Sequence, residues 1–174
     1  MKYLVKFFVV TFLLLVSTHV LAEQKIGYLD LKFVLNNSEA GQKAQDYLQK
    51  TFKKNQKKYA DLEVELKKEE NDLIAKKTIL NKEEYKESSD ALRKKVIAYQ
   101  ADRRESLDKI TAQRAKARKK LLEALDPILQ KYIDDNNISL IIDKKYILGG
   151  KVDFDITNII VEKLNKELPS LKLN

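Results

Sequence analysis

The chemistry open to this chain is narrow. Its 174 residues include no Cys and no Trp, one His (His19) and one Met (Met1). That His and that Met fall in an N-terminal stretch read below as a removable signal. Without them, no Cys/His zinc site, Cys nucleophile or His-based triad can be assembled. No Gly-x-x-x-x-Gly-Lys loop is present to cradle a nucleotide. Asp and Glu could pair as acid–base dyads, but interleaved with lysines they read as a solvated helix surface. The expectation is a non-enzyme without a cofactor, acting through non-covalent contact.

The residues suited to such contact lie in the middle of the chain. Tyr47, Phe52, Tyr59, Tyr85 and Tyr99 are its aromatic residues there, set among bases that include Lys53, Lys57 and Arg103. Tyr offers apolar area with a polar tip, a useful combination for gripping a disordered partner. The plainer reading assigns Phe52 and Tyr59 to packing between helices, because their spacing fits a helical seam. Tyr47 lies off that spacing and is the better contact point.

Charge marks the same region. The formal net charge is +8, and removing Lys2 and Lys6 lowers it to +6. From Glu39 to Asp126 there are 23 bases and 17 acids, whereas the flanking mature pieces are each balanced. A neutral body thus carries a basic arm, which attracts acidic partners through screened, long-range forces.

The elements that must position these residues follow from pattern. Residues 1–22 read as a secretory signal peptide. Lys2 and Lys6 open it, Phe7 to Val16 is apolar apart from Thr11, and Val20-Leu21-Ala22 offers a cleavage site after Ala22. The apolar run is short for a membrane span, which disfavours an uncleaved anchor. Residues 39–127 read as a helical hairpin arm. No Gly or Pro occurs from Gln42 to Asp126, and good helix formers dominate. Asn36 with Glu39 has the spacing of a capping box at the arm's start, and Asn81 with Glu84 repeats it near a tip at 78–82. A single unbroken helix is the competing reading. Leu48, Phe52, Tyr59, Leu62, Leu66 and Leu73 make an alternating four-three seam if Asn55 and Glu69 fill its two gaps. On the return limb Tyr85, Leu92, Val96 and Tyr99 are followed by Leu107, Ile110, Ala117 and Leu121, a slip in register that predicts local unwinding near Arg103. Pro127 should kink this limb.

The remaining pieces, 23–38 plus 128–174, form one discontinuous body. Lys25–Asp30 and Ile138–Asp143 read as strands, Tyr146–Leu148 as another, and Val152 with Phe154 as a third addition. Asp155 is placed to cap a last helix. About 60 residues are marginal for an independent core. The expectation is a symmetric homo-oligomer joined through Ile26, Tyr28, Leu140, Ile141, Ile142 and Ile147. The fold class is α+β, predominantly α: a small β body built from both chain ends, with a long antiparallel hairpin as a coiled-coil-like arm.

Three stretches resemble the Skp/OmpH family of periplasmic chaperones. Lys25-Ile26-Gly27-Tyr28-Leu29-Asp30 through Phe33 is similar to the family's first strand and turn. Asn137–Lys144 is similar to its returning strand, and Val152–Thr157 with Val161 and Leu164-Asn165 to its last helix. The resemblance implies a homotrimer whose arms enclose a cavity. It implies ATP-independent holding of unfolded outer-membrane β-barrel proteins in the periplasm. It extends to anionic lipid or lipopolysaccharide contact, which no cluster in this sequence localises. The rival readings are a structural coiled-coil spacer of the envelope and, less favoured, a nucleic-acid binder. Export removes the protein from nucleic acid, and acids interleave the bases of the arm.

Overall fold

A computed structural model describes residues 25–173; the expected signal segment, residues 1–22, lies outside the described residues. The chain runs β1 (Lys25–Leu29), α1 (Leu31–Asn37), α2 (Glu39–Ala75), α3 (Lys82–Asn136), β2 (Ile138–Asp143) and α4 (Thr157–Glu167). The strands pair in parallel, with Gly27 opposite Ile141 and Tyr28 opposite Ile142. A parallel pair needs a long crossover between its strands. Here that crossover is the whole helical hairpin, which is how a short sheet comes to be built from distant parts of the chain.

Each helix begins and ends for a local reason. Asp30 caps α1 by accepting from the Phe33 amide at 2.8 Å. Asn36 lies inside α1, so the cap of α2 is Ser38, whose hydroxyl accepts from Gly41 N at 3.2 Å. Gly41 is required at that corner. A Cβ there would collide with the Leu35 carbonyl at the end of α1. Asn81 and Glu84 form both halves of a capping box at the start of α3, at 2.9 and 3.2 Å. Asn137 ends α3 in the left-handed conformation with φ 52°, one that Asn tolerates better than most residues. Pro127 sits inside α3 without ending it.

The sheet is smaller than the residue pattern predicts. The Tyr146–Leu148 strand is absent. Asp143 instead accepts from Lys145 N, and Lys144–Tyr146 turns as one unit of 3-10 helix. Val152–Phe154 is a second such turn, and only a single bridge links Tyr28 to Asp155. Asp155 also stands one residue too early to be the formal cap of α4. Its carboxylate still accepts from Thr157 N, at 3.0 Å, and from the Thr157 hydroxyl. That hydroxyl oxygen in turn accepts from Asp30 N at 2.9 Å. The result ties the start of α4 to the end of β1.

The core lies where α1, the root of α3 and α4 meet. Leu29, Val34, Leu35, Leu125, Ile128, Ile156, Ile160 and Leu164 are buried together. A smaller cluster sits at the base of the arm, from Ala44, Leu48, Ile110, Ala117 and Leu173.

Candidate functional site

The arm is a two-helix seam, and its packing changes along its length. Near the base Ala44 and Leu48 of α2 are buried against Ile110 and Ala117 of α3. Beyond Tyr59 no α2 seam residue is fully buried; Leu62, Leu66 and Leu73 are half-covered, as are Leu92 and Val96 opposite. Two helices alone cannot enclose their own interface, so the outer limb keeps apolar surface in contact with water.

A polar belt divides the two regimes. Asn55 donates to the Ser106 hydroxyl at 2.6 Å, and the Tyr59 hydroxyl donates to the Asp102 carbonyl at 3.0 Å. The Tyr59 ring meets Tyr99 edge-on, with centroids 6.1 Å apart. Lys58 pairs with Asp102 at 2.7 Å and lies over the Tyr59 ring. The Lys58 hydrogen bond, with help from Tyr59, holds the Asp102 carboxyl below its ordinary range, and Asp102 raises Lys58 in return. Tyr99 donates to Glu63 at 3.3 Å and accepts from Arg103 at 3.5 Å.

This belt corrects the register read from the sequence. Phe52 is not in the seam. It is 44% exposed, and Thr51 turns inward in its place, while Asn55 fills its gap in the seam as the spacing expects. Glu69 lies on the exposed flank, paired with Lys95 at 2.7 Å. Leu107 is exposed, and α3 runs unbroken past Arg103 without unwinding. The four-three rhythm continues from Tyr99 through Ser106, Ile110, Gln113 and Ala117. Polar residues occupy seam positions because the opposite helix, or a chain segment crossing its base, satisfies them. Following the rhythm through polar side chains, rather than stepping to the nearest Leu, would have found Ser106.

The candidate contact residues fall into separate places. Tyr59, Tyr99 and Arg103 converge in the belt, where Tyr59 is only 7% exposed and serves packing. Tyr47 is exposed and borders a cleft of about 520 Å³ on one flank of the hairpin, with Asn55, Tyr59 and Lys109. Phe52 borders a groove of about 560 Å³ on the other flank, beside Arg114 and Arg118. Lys53 and Lys57 are exposed between them along α2, and Tyr85 stands apart, half-buried near the turn. Periodicity did not point to Val64, Ile74, Ile79 and Ile97, which stand exposed on the arm's outer surface. Their signal is their misfit: each is apolar yet belongs to no seam position.

In the body, Ile26 and Leu140 are register partners and both are exposed. Ile141, Ile142 and Ile147 are half-covered. Tyr28 is buried, and its hydroxyl donates to the Lys151 carbonyl at 3.2 Å. Tyr146, Leu148, Val152 and Phe154 add exposed apolar groups on the loop between β2 and α4. Among the described residues no acidic or His cluster is suited to a metal, and no helix is long and apolar enough to cross a membrane.

Residues 25–164 match the family described as outer membrane protein (OmpH-like). A crystal structure of an OmpH-like outer membrane chaperone candidate from Caulobacter crescentus CB15 superposes with a TM-score of 0.79. The two are 19% identical, and the match covers 90% of this chain and 92% of that one. No curated protein matches the sequence.

Proposed function

This chain belongs to the OmpH-like outer membrane protein family, and from that premise we propose that it is an ATP-independent periplasmic holdase. It receives unfolded outer-membrane β-barrel proteins and keeps them from aggregating. In this reading residues 39–127 are the gripping arm, and residues 23–38 with 128–174 are the body through which copies associate. A homotrimer would place three arms around a shared cavity. The signal would be removed near Ala22 on export to the periplasm.

The observation that carries the proposal is the arm's outer surface. Phe52, Val64, Ile74, Ile79, Ile97 and Leu107 are exposed there, scattered among an excess of bases. An unfolded barrel strand alternates apolar and polar residues and presents unpaired backbone edges. Many weak apolar contacts, reinforced by attraction to acidic stretches, can hold such a chain without fixing its structure. A holder that binds only the unfolded state is displaced once the client's folding is more favourable than holding, so insertion of the client into a membrane would drive release. The exposed Ile26–Leu140 strip and the apolar loop beside it support self-association through the body. Anionic lipid or lipopolysaccharide would meet the same basic arm, whereas nucleic acid is not a partner in this reading.

A coiled-coil spacer would need the same helices but no exposed apolar groups along them. Light scattering separates the two. The purified chain, added to a denatured barrel protein diluted out of urea, should suppress turbidity, and raising salt from low to about molar strength should weaken suppression as the Debye length shrinks to about 3 Å. Turbidity that rises as fast with the chain as without it would leave only the spacer.

A further inference from the structure

Residues 168–173, after α4, form neither helix nor strand. They run back across the base of the α2–α3 hairpin. Leu171 packs against both apolar clusters, and Leu173 is only 4% exposed among Ala44, Leu48, Ile110 and Ala117. Three side chains, drawn from both helices, donate to the segment's main chain. Lys43 Nζ reaches the Pro169 carbonyl at 2.9 Å, Lys120 Nζ the Lys172 carbonyl at 3.4 Å, and Gln113 Nε2 the Leu173 carbonyl at 2.8 Å.

These contacts describe a binding mode that is nearly blind to sequence. The donors address carbonyls that every polypeptide has. The apolar floor asks only for a hydrophobic side chain at alternate positions, as at Leu171 and Leu173. Ala44 and Ala117 leave the room that a Leu fills. The site does not stop at Leu173. Ile110 and Gln113, which hold Leu173, also line the cleft that continues along the arm past Tyr47, Thr51, Asn55 and Ser106. That cleft is bordered by both helices and is lined by the Thr51 hydroxyl, the paired Asn55 and Ser106, apolar Ile110 and the charged Glu105 and Lys109.

We propose that residues 168–173 are an internal occupant of a peptide groove, and that a non-native apolar segment of a client displaces Leu171 and Leu173 and extends into the cleft beyond. The proposal rests on the holdase reading and names the site where one client segment binds. The occupant is suited to exchange because no ladder of strand or helix hydrogen bonds must break; opening costs three side-chain hydrogen bonds and the burial of Leu171 and Leu173, which an apolar client segment restores. Competition of this kind lowers apparent client affinity by the fraction of molecules whose groove is open.

The test uses the full mature chain and a fluorescein-labelled decapeptide alternating leucine and threonine, followed by anisotropy. A strap docked in about nine molecules of ten weakens the peptide about tenfold, so L171S/L173S should tighten binding by about that factor. Locking the strap, with Gln113→Cys and Leu173→Cys joined under oxidant, should weaken the peptide, and dithiothreitol should restore it. Bound peptide should slow amide exchange in residues 47–55 and 106–113. Equal or weaker peptide binding by a fully helical L171S/L173S overturns the proposal. Should that variant lose helicity, the disulfide pair decides: affinity unchanged on oxidation overturns it. Turbidity suppression by the unsubstituted chain, measured in parallel, separates the outcomes. If suppression persists while the strap variants bind alike, only the groove is lost; if suppression is absent, the holdase reading itself fails.

Discussion

At the scale of single residues, a few positions have no substitute because something rigid lies beside them. Gly41 is one. Ala is ordinarily the better helix former by about 1 kcal/mol, yet its methyl would strike a backbone carbonyl that cannot swing away. Gly41→Ala should therefore destabilise the protein by about 1–3 kcal/mol, the usual cost of overpacking, read as a lower urea midpoint; a raised midpoint would mean the α1–α2 corner yields. Tyr59 is a different case. Its ring is buried against Tyr99 and its hydroxyl is committed to a carbonyl of the other limb. Tyr59→Phe keeps the ring and loses that bond, so it should lower stability by about 1 kcal/mol in thermal melts, with little change in turbidity suppression. A full loss of suppression on this substitution would instead make the hydroxyl a client contact.

At the scale of elements, the body is knotted together where α4 begins. Burial opposes ionisation of Asp155, but the Thr157 hydroxyl and Lys144 outweigh it and hold the carboxyl below its ordinary range. Lys144 is raised in turn, chiefly by its hydrogen bond to Asp155. The sign follows by linkage. A depressed carboxylate stabilises the fold above its unfolded pKa of about 3.9, and that share is lost as pH falls through the lower folded value. Thermal melts from pH 6 to pH 2 should show the wild-type midpoint falling more steeply than that of Asp155→Asn over the acidic part of the range. Parallel curves would show that the Asp155 charge contributes nothing to anchoring α4. The arm makes a second point at this scale. Its base has a small core, its middle has a polar belt, and its outer limb has only half-covered Leu and Val, so motion should concentrate beyond Tyr59.

At the scale of the whole molecule, one copy leaves too much apolar surface bare at its β end. The two-stranded sheet leaves the outer edge of β2 open and covers that of β1 only by the bridge from Tyr28 to Asp155, and strips such as Ile26 with Leu140 seek cover. Analytical ultracentrifugation at micromolar concentration should find a stable oligomer, and Leu140→Asp should shift it toward monomer while the arm remains helical. A monomer in the unsubstituted chain would remove the proposed cavity. In the proposed oligomer the chain, which has no disulfide, would have the small core at the root of α3 supplemented by neighbours rather than by crosslinks.

The residues by themselves determined the class of fold, the long basic hairpin, the Asn81–Glu84 capping box that opens its return limb and the family resemblance, because helix propensity, capping and charge are local properties that a chain carries wherever it goes. Their composition, with no Cys, also left out disulfides and Cys nucleophiles. Only the tertiary structure decided that Thr51 and not Phe52 turns inward, that Ser106 and not Leu107 meets the opposite limb, and that Tyr146–Leu148 does not become a strand. Those outcomes depend on which partner stands opposite. A polar group enters a seam when a partner across it completes the hydrogen bond, and a β-prone run forms no strand where a turn diverts it, as Asp143 does by accepting from Lys145 N. The path of residues 168–173 across the hairpin belongs to the same class: nothing local in Leu-Pro-Ser-Leu-Lys-Leu shows that two alanines, far apart in sequence, have left space for its last leucine.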